Sequence, residues 1–567
     1  MAYDYIVVGG GAAGCILANR LSARSGNRVL LCEAGPDTPD GRVPEAILNS
    51  YPGFAYLSSG FTWSQLRVTT DGIGNDDPDR SRHLRKYEQA RVLGGGSSIN
   101  GQLANRGAPG DYDQWQEMGA TGWGWDDVLP YFRKIERDID CDGPLHGKEG
   151  RIPIRRIFPD YWPKHMTALR DALQSHGHPF KLDQNGDFED GFYPATIANL
   201  YDRRVSSAIG YLDPATRLRP NLEISTGTEV TRLLFDGTRC IGVVARRDGK
   251  DVEFRGQEVI LSSGAVYSPA HLLRSGIGPA ADLAALGIEV VRDLPGVGRH
   301  LTDHPCVAVA SFIKPEGRLD GRTQRHLLAA WRYSSNIAGA PVGDMSVSPV
   351  SRAAWHAVGR QIGSLNICVY KTYSRDGRIR LNSADWRDQP KVDFNLLSDE
   401  RDLLRLMDGV RRVGRLYDTP DMRAVTANPF PAVYGEKVRQ VGAVTARNKI
   451  LTAIMARLLD GPEALRDILI RNVVMDAFTI EGVMNDDEEC AAFVRTCAIG
   501  AWHASCSCRM GAADDPMAVV DAQGRVRGVE GLRVADASIF PDVPRANTTL
   551  PTMMVAEKIS DIILGQH

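Results

Sequence analysis

The chain has 567 residues, with 67 Lys and Arg against 70 Asp and Glu and a formal net charge of −3. That balance excludes the electrostatic footprint of a nucleic-acid or anionic-membrane binder. At 43% hydrophobic and 24% charged, with 57 glycines and 31 prolines, the composition is that of an ordinary globular protein; fibrous and disordered classes are out.

A single core stops growing near about 250–300 residues, so a chain this long must split its core or interleave two. No basic segment precedes the first apolar run, and Gly9, Gly10 and Gly11 interrupt it. No signal peptide is therefore expected. Tyr5 to Val8 is a β-branched run that reads as a buried parallel strand. Ala12 to Ala23 reads as a helix with Ile16, Leu17 and Leu21 on its apolar face, and Arg28 to Glu33 as the next strand. This β-α-β unit has the size a dinucleotide site requires.

A Gly/Ser-rich loop runs from Leu93 to Asn100, and Trp115, Trp123 and Trp125 mark a helical segment. Glu258 to Ala265 is a second apolar strand ending in glycine. From residue 313 to 494 the character changes to alternating segments (Gly377 to Leu381) and charged helical ones (Asp399 to Arg415), read as a separate substrate lobe. A closing helix is predicted from about Thr552 to Leu564. No stretch of 18 apolar residues occurs, which predicts no membrane span and a cytoplasmic protein. The ten cysteines include no Cys-x-x-Cys pair. They read as small buried thiols, and no metal site is expected.

Gly9-x-Gly11-x-x-Gly14 joins the first strand to the helix. Its glycines allow a tight turn, close approach of backbone to a pyrophosphate, and close helix–strand packing. The helix N-terminus offers free N–H groups to the phosphates. Glu33 ends the second strand, 19 residues after Gly14. A carboxylate there accepts from ribose hydroxyls and repels a 2′-phosphate, which argues against NADP. The motif alone does not separate FAD from NAD. The loop Ala90 to Asn100 supplies further backbone N–H groups and small hydroxyls, able to cradle phosphates or lie against an aromatic ring system.

These loops, with Gly264-Ala265-x-x-Ser268-Pro269, Leu294 to His304, Leu532 to Ser538 and Asn547-Thr548-x-x-Pro551-Thr552, resemble the glucose-methanol-choline (GMC) oxidoreductases. The resemblance covers nearly the whole chain. It is nearest to the bacterial branch that oxidises hydroxymethylfurfural and related aryl-methyl alcohols, through Pro144 to Gly147, Val392 to Ser398 and Trp502 to Ser505. His271 departs from the pattern, which has an aliphatic residue there.

The resemblance implies an α/β fold in which a Rossmann-like FAD-binding domain (1–152, 206–312 and 495–567) interleaves with an α+β substrate-binding domain (153–205 and 313–494). It implies that Gly11, Gly14, Glu33, Gly94, Gly95, Ser97, Ser98, Asn100, Val230, Asp536, Ala537 and Thr548 bind FAD. Some relatives carry a histidine-linked flavin just before the loop asparagine; Ile99 stands there, so FAD is expected to be non-covalent. His503 and Asn547 match the family's catalytic pair. An imidazole of near-neutral pKa suits a base, and an amide can both donate to and accept from one hydroxyl. Ile499, Ala501 and Trp502 would line the substrate pocket. His300 and His304 read as structural. The helix after Pro551 would turn its N-terminus towards the flavin.

The activity so implied is oxidation of a furanic or benzylic primary alcohol to the aldehyde, and on to the acid through the hydrate, with dioxygen reduced to hydrogen peroxide. Other readings stay open: a dehydrogenase passing electrons to a quinone, a flavin-containing lyase or photodecarboxylase, and a nicotinamide dehydrogenase or non-catalytic module.

Overall fold

The computed structural model of the chain describes residues 2–72, 77, 79–474 and 478–566. β1 (Tyr3–Val8), α1 (Ala12–Ser22) and β2 (Val29–Glu33) form the expected β-α-β unit. The two strands run parallel, with Tyr5 to Val8 opposite Val29 to Cys32. β2 is buried along its whole length, as its unbroken apolar run requires.

Four later strands complete this sheet: β3 (Leu222–Thr226), β4 (Thr228–Asp236), β5 (Arg239–Arg247) and β6 (Lys250–Leu261). The order is β3-β2-β1-β6-β5-β4, and the strand Leu532–Val534 pairs in parallel with β6. The apolar end of β6 lies parallel to β1, while its polar beginning turns back as an antiparallel meander on β5. α2 (Gly264–Arg274) follows β6 directly.

A second sheet is antiparallel. It contains β7 (Pro305–Ile313), β8 (Ala329–Tyr333), β9 (Met345–Val350), β10 (Ile362–Val369) and β11 (Thr426–Ala432). Its order is β11-β7-β10-β9-β8, closed by the strand Gly191–Pro194, and the short β12 (Ile499–Gly500) pairs with the start of β7. Alternation along β7 and β10 sorts the side chains. Val307, Val309, Leu365, Ile367 and Val369 pack in one cluster with Leu403, Leu406, Val410 and Val413 of α3 (Glu400–Tyr417). Cys306, Ala308, Ala310, Ser364, Asn366 and Cys368 point the other way, into a cavity. α3 shows why it folds: Asp399 caps its N-terminus by accepting from Arg401 N–H, and its apolar residues recur every three or four positions.

Two strands cross the expected boundaries. β7 begins inside the 206–312 stretch expected for the cofactor domain, and β12 lies inside 495–567, yet both hydrogen-bond into the second sheet. A strand's sheet is set by distant partners, so the chain returns to the second sheet at Pro305, before its composition changes.

α4 (Thr549–Leu564) closes the fold against α1. Arg20 of α1 holds Asp561 at 2.7 Å and Glu557 at 3.3 Å. No helix among the described residues is long and apolar enough to cross a membrane. Nine cysteines are buried and Cys141 is half-buried.

Candidate active site

One cavity of about 960 Å³ reaches both sheets. Its walls include Gly11, Glu33, Gly95, Ser97, Asn100, Val230, Asp536, Ala537 and Thr548, together with Ile499, Ala501, Trp502, His503 and Asn547. Gly14, Gly94 and Ser98 stand behind the wall. A Cβ at Gly14 would lie 1.9 Å from the Gly9 carbonyl, so this glycine lets α1 pack against its own entry loop. Gly94 donates to the Gly10 carbonyl at 2.7 Å, and Ser98 Oγ donates to the Leu93 carbonyl at 2.8 Å.

The two glycine loops touch. Gly95 has φ +53°, and a Cβ there would meet Gly11 Cα at 2.6 Å. Only glycine allows both. Each oxygen of Glu33 accepts one backbone N–H, from Gly10 at 2.8 Å and Gly35 at 2.7 Å, which leaves a lone pair on each for a ligand hydroxyl. Burial raises its pKa against those two hydrogen bonds. Asp536 accepts from Gly264 N–H at 2.8 Å, Ser268 Oγ at 2.5 Å and Ser538 N–H at 2.8 Å. The N-termini of α1, at Gly11, and α4, at Thr548, both open on the cavity without a side-chain cap. Two uncapped helix ends aimed at one enclosed space are donors awaiting an acceptor.

His503 is set by a strained turn. Trp502 has φ +60°, rarely adopted by a bulky residue and costing about 1–3 kcal/mol. The turn is held by Trp502 Nε1 donating to Glu88 Oε2 at 3.0 Å and by His503 N–H donating to Asp303 Oδ1 at 2.9 Å. Asp303 also accepts from the Tyr87 hydroxyl at 2.6 Å, and burial raises its pKa to about 6. Gly500 makes room, since a Cβ there would sit 2.2 Å from Asp303 Oδ2.

The His503 ring is bonded at both nitrogens. Nε2 lies 2.9 Å from Asn547 Nδ2, and Nδ1 lies 2.8 Å from His304 Nδ1. The Tyr370 hydroxyl donates to Asn547 Oδ1 at 3.2 Å. With the amide oriented by Tyr370, Asn547 Nδ2 donates to His503 Nε2, so the proton of His503 sits on Nδ1 and points at His304. The Nε2 lone pair, on the cavity side, is the basic one. Burial lowers the His503 pKa from 6.5 to about 4, below the near-neutral value expected, so the ring is neutral at pH 7 and able to take a proton. His304, expected to be structural, is the direct partner of His503 and stacks on Tyr370 with centroids 5.0 Å apart.

The sequence also hid the far wall. Glu88 is buried between Trp502 and Arg439, whose Nε donates at 2.9 Å, and Tyr434 meets Trp502 edge-on at 5.6 Å. His271 is buried in α2 and lines the cavity, and burial lowers its pKa to about 3. Among the described residues one group, Asp138, Cys141 and His146, has metal-binding donors within reach. Arg156 already bridges Asp138 and Asp183 there, and the carboxylates raise the His146 pKa to about 10.

Residues 3–306 match the N-terminal model, and residues 372–556 the C-terminal model, of the family described as GMC oxidoreductase. The chain belongs to the GMC oxidoreductases. It is 42% identical over 573 residues to 5-(hydroxymethyl)furfural oxidase of Methylovorus sp. strain MP688, covering 100% of this chain and 99% of that protein. It is 33% identical to mitochondrial choline dehydrogenase of Mus musculus, covering 99% and 89%. Among solved structures it superposes on pyridoxine 4-oxidase from Mesorbium loti with a TM-score of 0.80 at 25% identity over the full length of both chains. A fungal aryl-alcohol oxidase shares the fold, with a TM-score of 0.74 at 21% identity, covering 100% and 99%.

The enzyme is an FAD-dependent oxidoreductase acting on alcohols. The cradle fits that cofactor: touching glycine loops, two uncapped helix ends, and Glu33 with a lone pair left on each oxygen. Gly11, Gly95 and α1 would hold the pyrophosphate, Glu33 the adenosine ribose, and Asn100, Asp536 and the start of α4 the flavin half.

Proposed function

We propose that the enzyme oxidises furanic or benzylic primary alcohols to aldehydes with dioxygen as acceptor, using His503 as base and Asn547 to position the hydroxyl. The 2.9 Å contact between His503 Nε2 and Asn547 on the cavity wall, with His304 behind, carries this reading. FAD, when bound, supplies the hydride acceptor and the path of electrons to dioxygen.

The substrate oxygen takes the place that Asn547 Nδ2 and His503 Nε2 now share. Asn547 donates to it, and His503 Nε2 removes its proton. The ring then becomes an imidazolium whose Nδ1–H already points at an acceptor on His304. That acceptor is in place before the charge forms, which is where a buried dipole lowers a barrier most. Trp502, Tyr434 and Phe430 give the pocket aromatic walls. Furanic and benzylic C–H bonds are good hydride donors because the developing positive charge is shared with the ring, so less barrier lowering is asked of the protein. The hydrate of an aldehyde presents the same hydroxyl to His503, which extends the reaction to the acid.

An oxygen-electrode screen over furanic, benzylic, pyridoxine-like, choline-like and aliphatic alcohols tests this. The expected result is highest kcat/KM for the first two classes, with one peroxide for each two-electron oxidation, whether to aldehyde or on to acid. Turnover with a quinone far faster than with air would reassign the enzyme as a dehydrogenase.

A further inference from the structure

Cys306 of β7 and Cys368 of β10 are paired residues in the ladder, and both line the cavity. Their Sγ atoms are 2.7 Å apart. The ladder places them at a particular kind of site. The His304 carbonyl accepts from Ala501 N–H at 3.0 Å, so the backbone at 304 faces β12; two residues on, so does that of Cys306. Tyr370 N–H donates to the Asp344 carbonyl at 2.8 Å, on the β9 side, and Cys368 two residues earlier faces β9 too. Neither cysteine's backbone therefore bonds across the β7–β10 gap. Such non-hydrogen-bonded pairs bring Cα atoms to about 4.5 Å and their side chains closest. That separation falls within the roughly 4.4–6.8 Å spanned by disulfides.

The surroundings supply an oxidant. Tyr370 and Ala501 complete the small cluster around the two thiols. Tyr370 bonds Asn547 and stacks on His304. The thiols thus sit in the same enclosed space, beside the residues assigned to the reaction. We propose that Cys306 and Cys368 are a modification site, oxidised to a disulfide by the hydrogen peroxide made in their own cavity; the source of peroxide rests on the oxidase reading above.

The chemistry balances. Cys368 donates its hydrogen bond to Cys306 and, held by that bond and by burial, keeps its proton well above the usual thiol range. Cys306 is the acceptor, so its sulfur attacks first. The sulfur bonds one peroxide oxygen, the O–O bond breaks, and hydroxide leaves with the thiol proton as water. Cys306 is then a sulfenic acid. The Cys368 sulfur displaces its hydroxyl, the S–S bond forms, and the second thiol proton leaves in a second water. Two thiols are oxidised and one peroxide is reduced. The bridge ties together the strand ends that carry His304 and Tyr370, so it acts on the hydrogen bonds of His503 and Asn547.

Two arms test this. In the first, resting holoenzyme is treated with hydrogen peroxide alone, denatured, alkylated with iodoacetamide and digested. A peptide pair linked through Cys306 and Cys368, released by dithiothreitol, is expected; the Cys368→Ala variant gives none. Both cysteines fully alkylated after peroxide would overturn the proposal. The linked mass in the unmutated chain carries the result without any variant. In the second arm, aerobic turnover with the alcohol is compared with anaerobic incubation. The link should accumulate only in air, with loss of rate that dithiothreitol restores. A link formed by added peroxide but not by turnover supports the site and counts against the oxidase reading instead.

Discussion

The Nδ1 atoms of His304 and His503 lie 2.8 Å apart, so one ring must donate and the other accept. Burial keeps both rings neutral at pH 7, His503 at about 4 and His304 well below its ordinary value. Their order is fixed by Asn547 on the far side of His503. With His503 as the proposed base, His304 would be a positioning residue that holds Nδ1 and leaves Nε2 to the cavity.

His304→Phe removes the acceptor and keeps the stack on Tyr370. The limiting rate of flavin reduction should fall about tenfold or more, within the range of base catalysis. The acid limb of kcat/KM should move to lower pH, because the His503 imidazolium loses a hydrogen bond. His304→Gln, which retains an acceptor, should recover part of the rate. Anaerobic stopped-flow over a pH series reads both; an unmoved limb and a rate within twofold would remove His304 from this role.

His503→Ala should bind FAD yet reduce it at least ~10²-fold more slowly. The test is anaerobic reduction at saturating alcohol, with the flavin spectrum confirming occupancy. Reduction within threefold of wild type would exclude His503 as the base.

Gly95→Ala addresses the cradle. The new methyl meets Gly11 Cα at 2.6 Å on a backbone with φ +53°, a strain of about 1–3 kcal/mol before the loops part. The variant should purify with less than a tenth of its sites filled and with a lower Tm. Full flavin content would show that the loops can separate without losing the cofactor.

With Ile99 in place of a linking histidine, acid precipitation should release all flavin to the supernatant. Flavin left in the washed pellet would contradict this.

Stability should depend on pH in two windows. His165, His271, His356 and His503 have pKa values lowered from 6.5 to about 4, 3, 4 and 4 by burial. Their unfolded forms bind protons first as pH falls, so the stability they lend above pH 6.5 is lost between 6.5 and about 4. His146 is raised to about 10; its contribution is complete below pH 6.5 and fades as pH rises to 10. The Tm should drop on both sides of neutrality, with His146→Gln flattening the alkaline side. A Tm unchanged between pH 7 and pH 4.5 would refute the first window.

The first β-α-β unit was legible because every cue lies within 33 residues: an apolar run, glycines at fixed spacing, a closing acid. His503 and Asn547 were legible only through family resemblance, since a lone histidine carries no local mark. His304 was missed although it sits in a recognised segment. Its partner is 199 residues away, and the two meet only because β12 pairs with the start of β7. The Glu88–Trp502 contact and the cysteine pair were hidden for the same reason. Register between distant strands leaves no periodic trace in either one. The early return to the second sheet at Pro305 escaped notice because β7 is as apolar as the strands of the first.

The cradle draws one uncapped helix from residue 12 and the other from residue 549. A ribosome adding about 5–20 residues per second separates their appearance by roughly 30–100 s. Through that interval the nascent chain holds half a nucleotide site, with Arg20 of α1 lacking the acidic partners that α4 brings. The two halves of the cradle therefore meet only once α4 has been made.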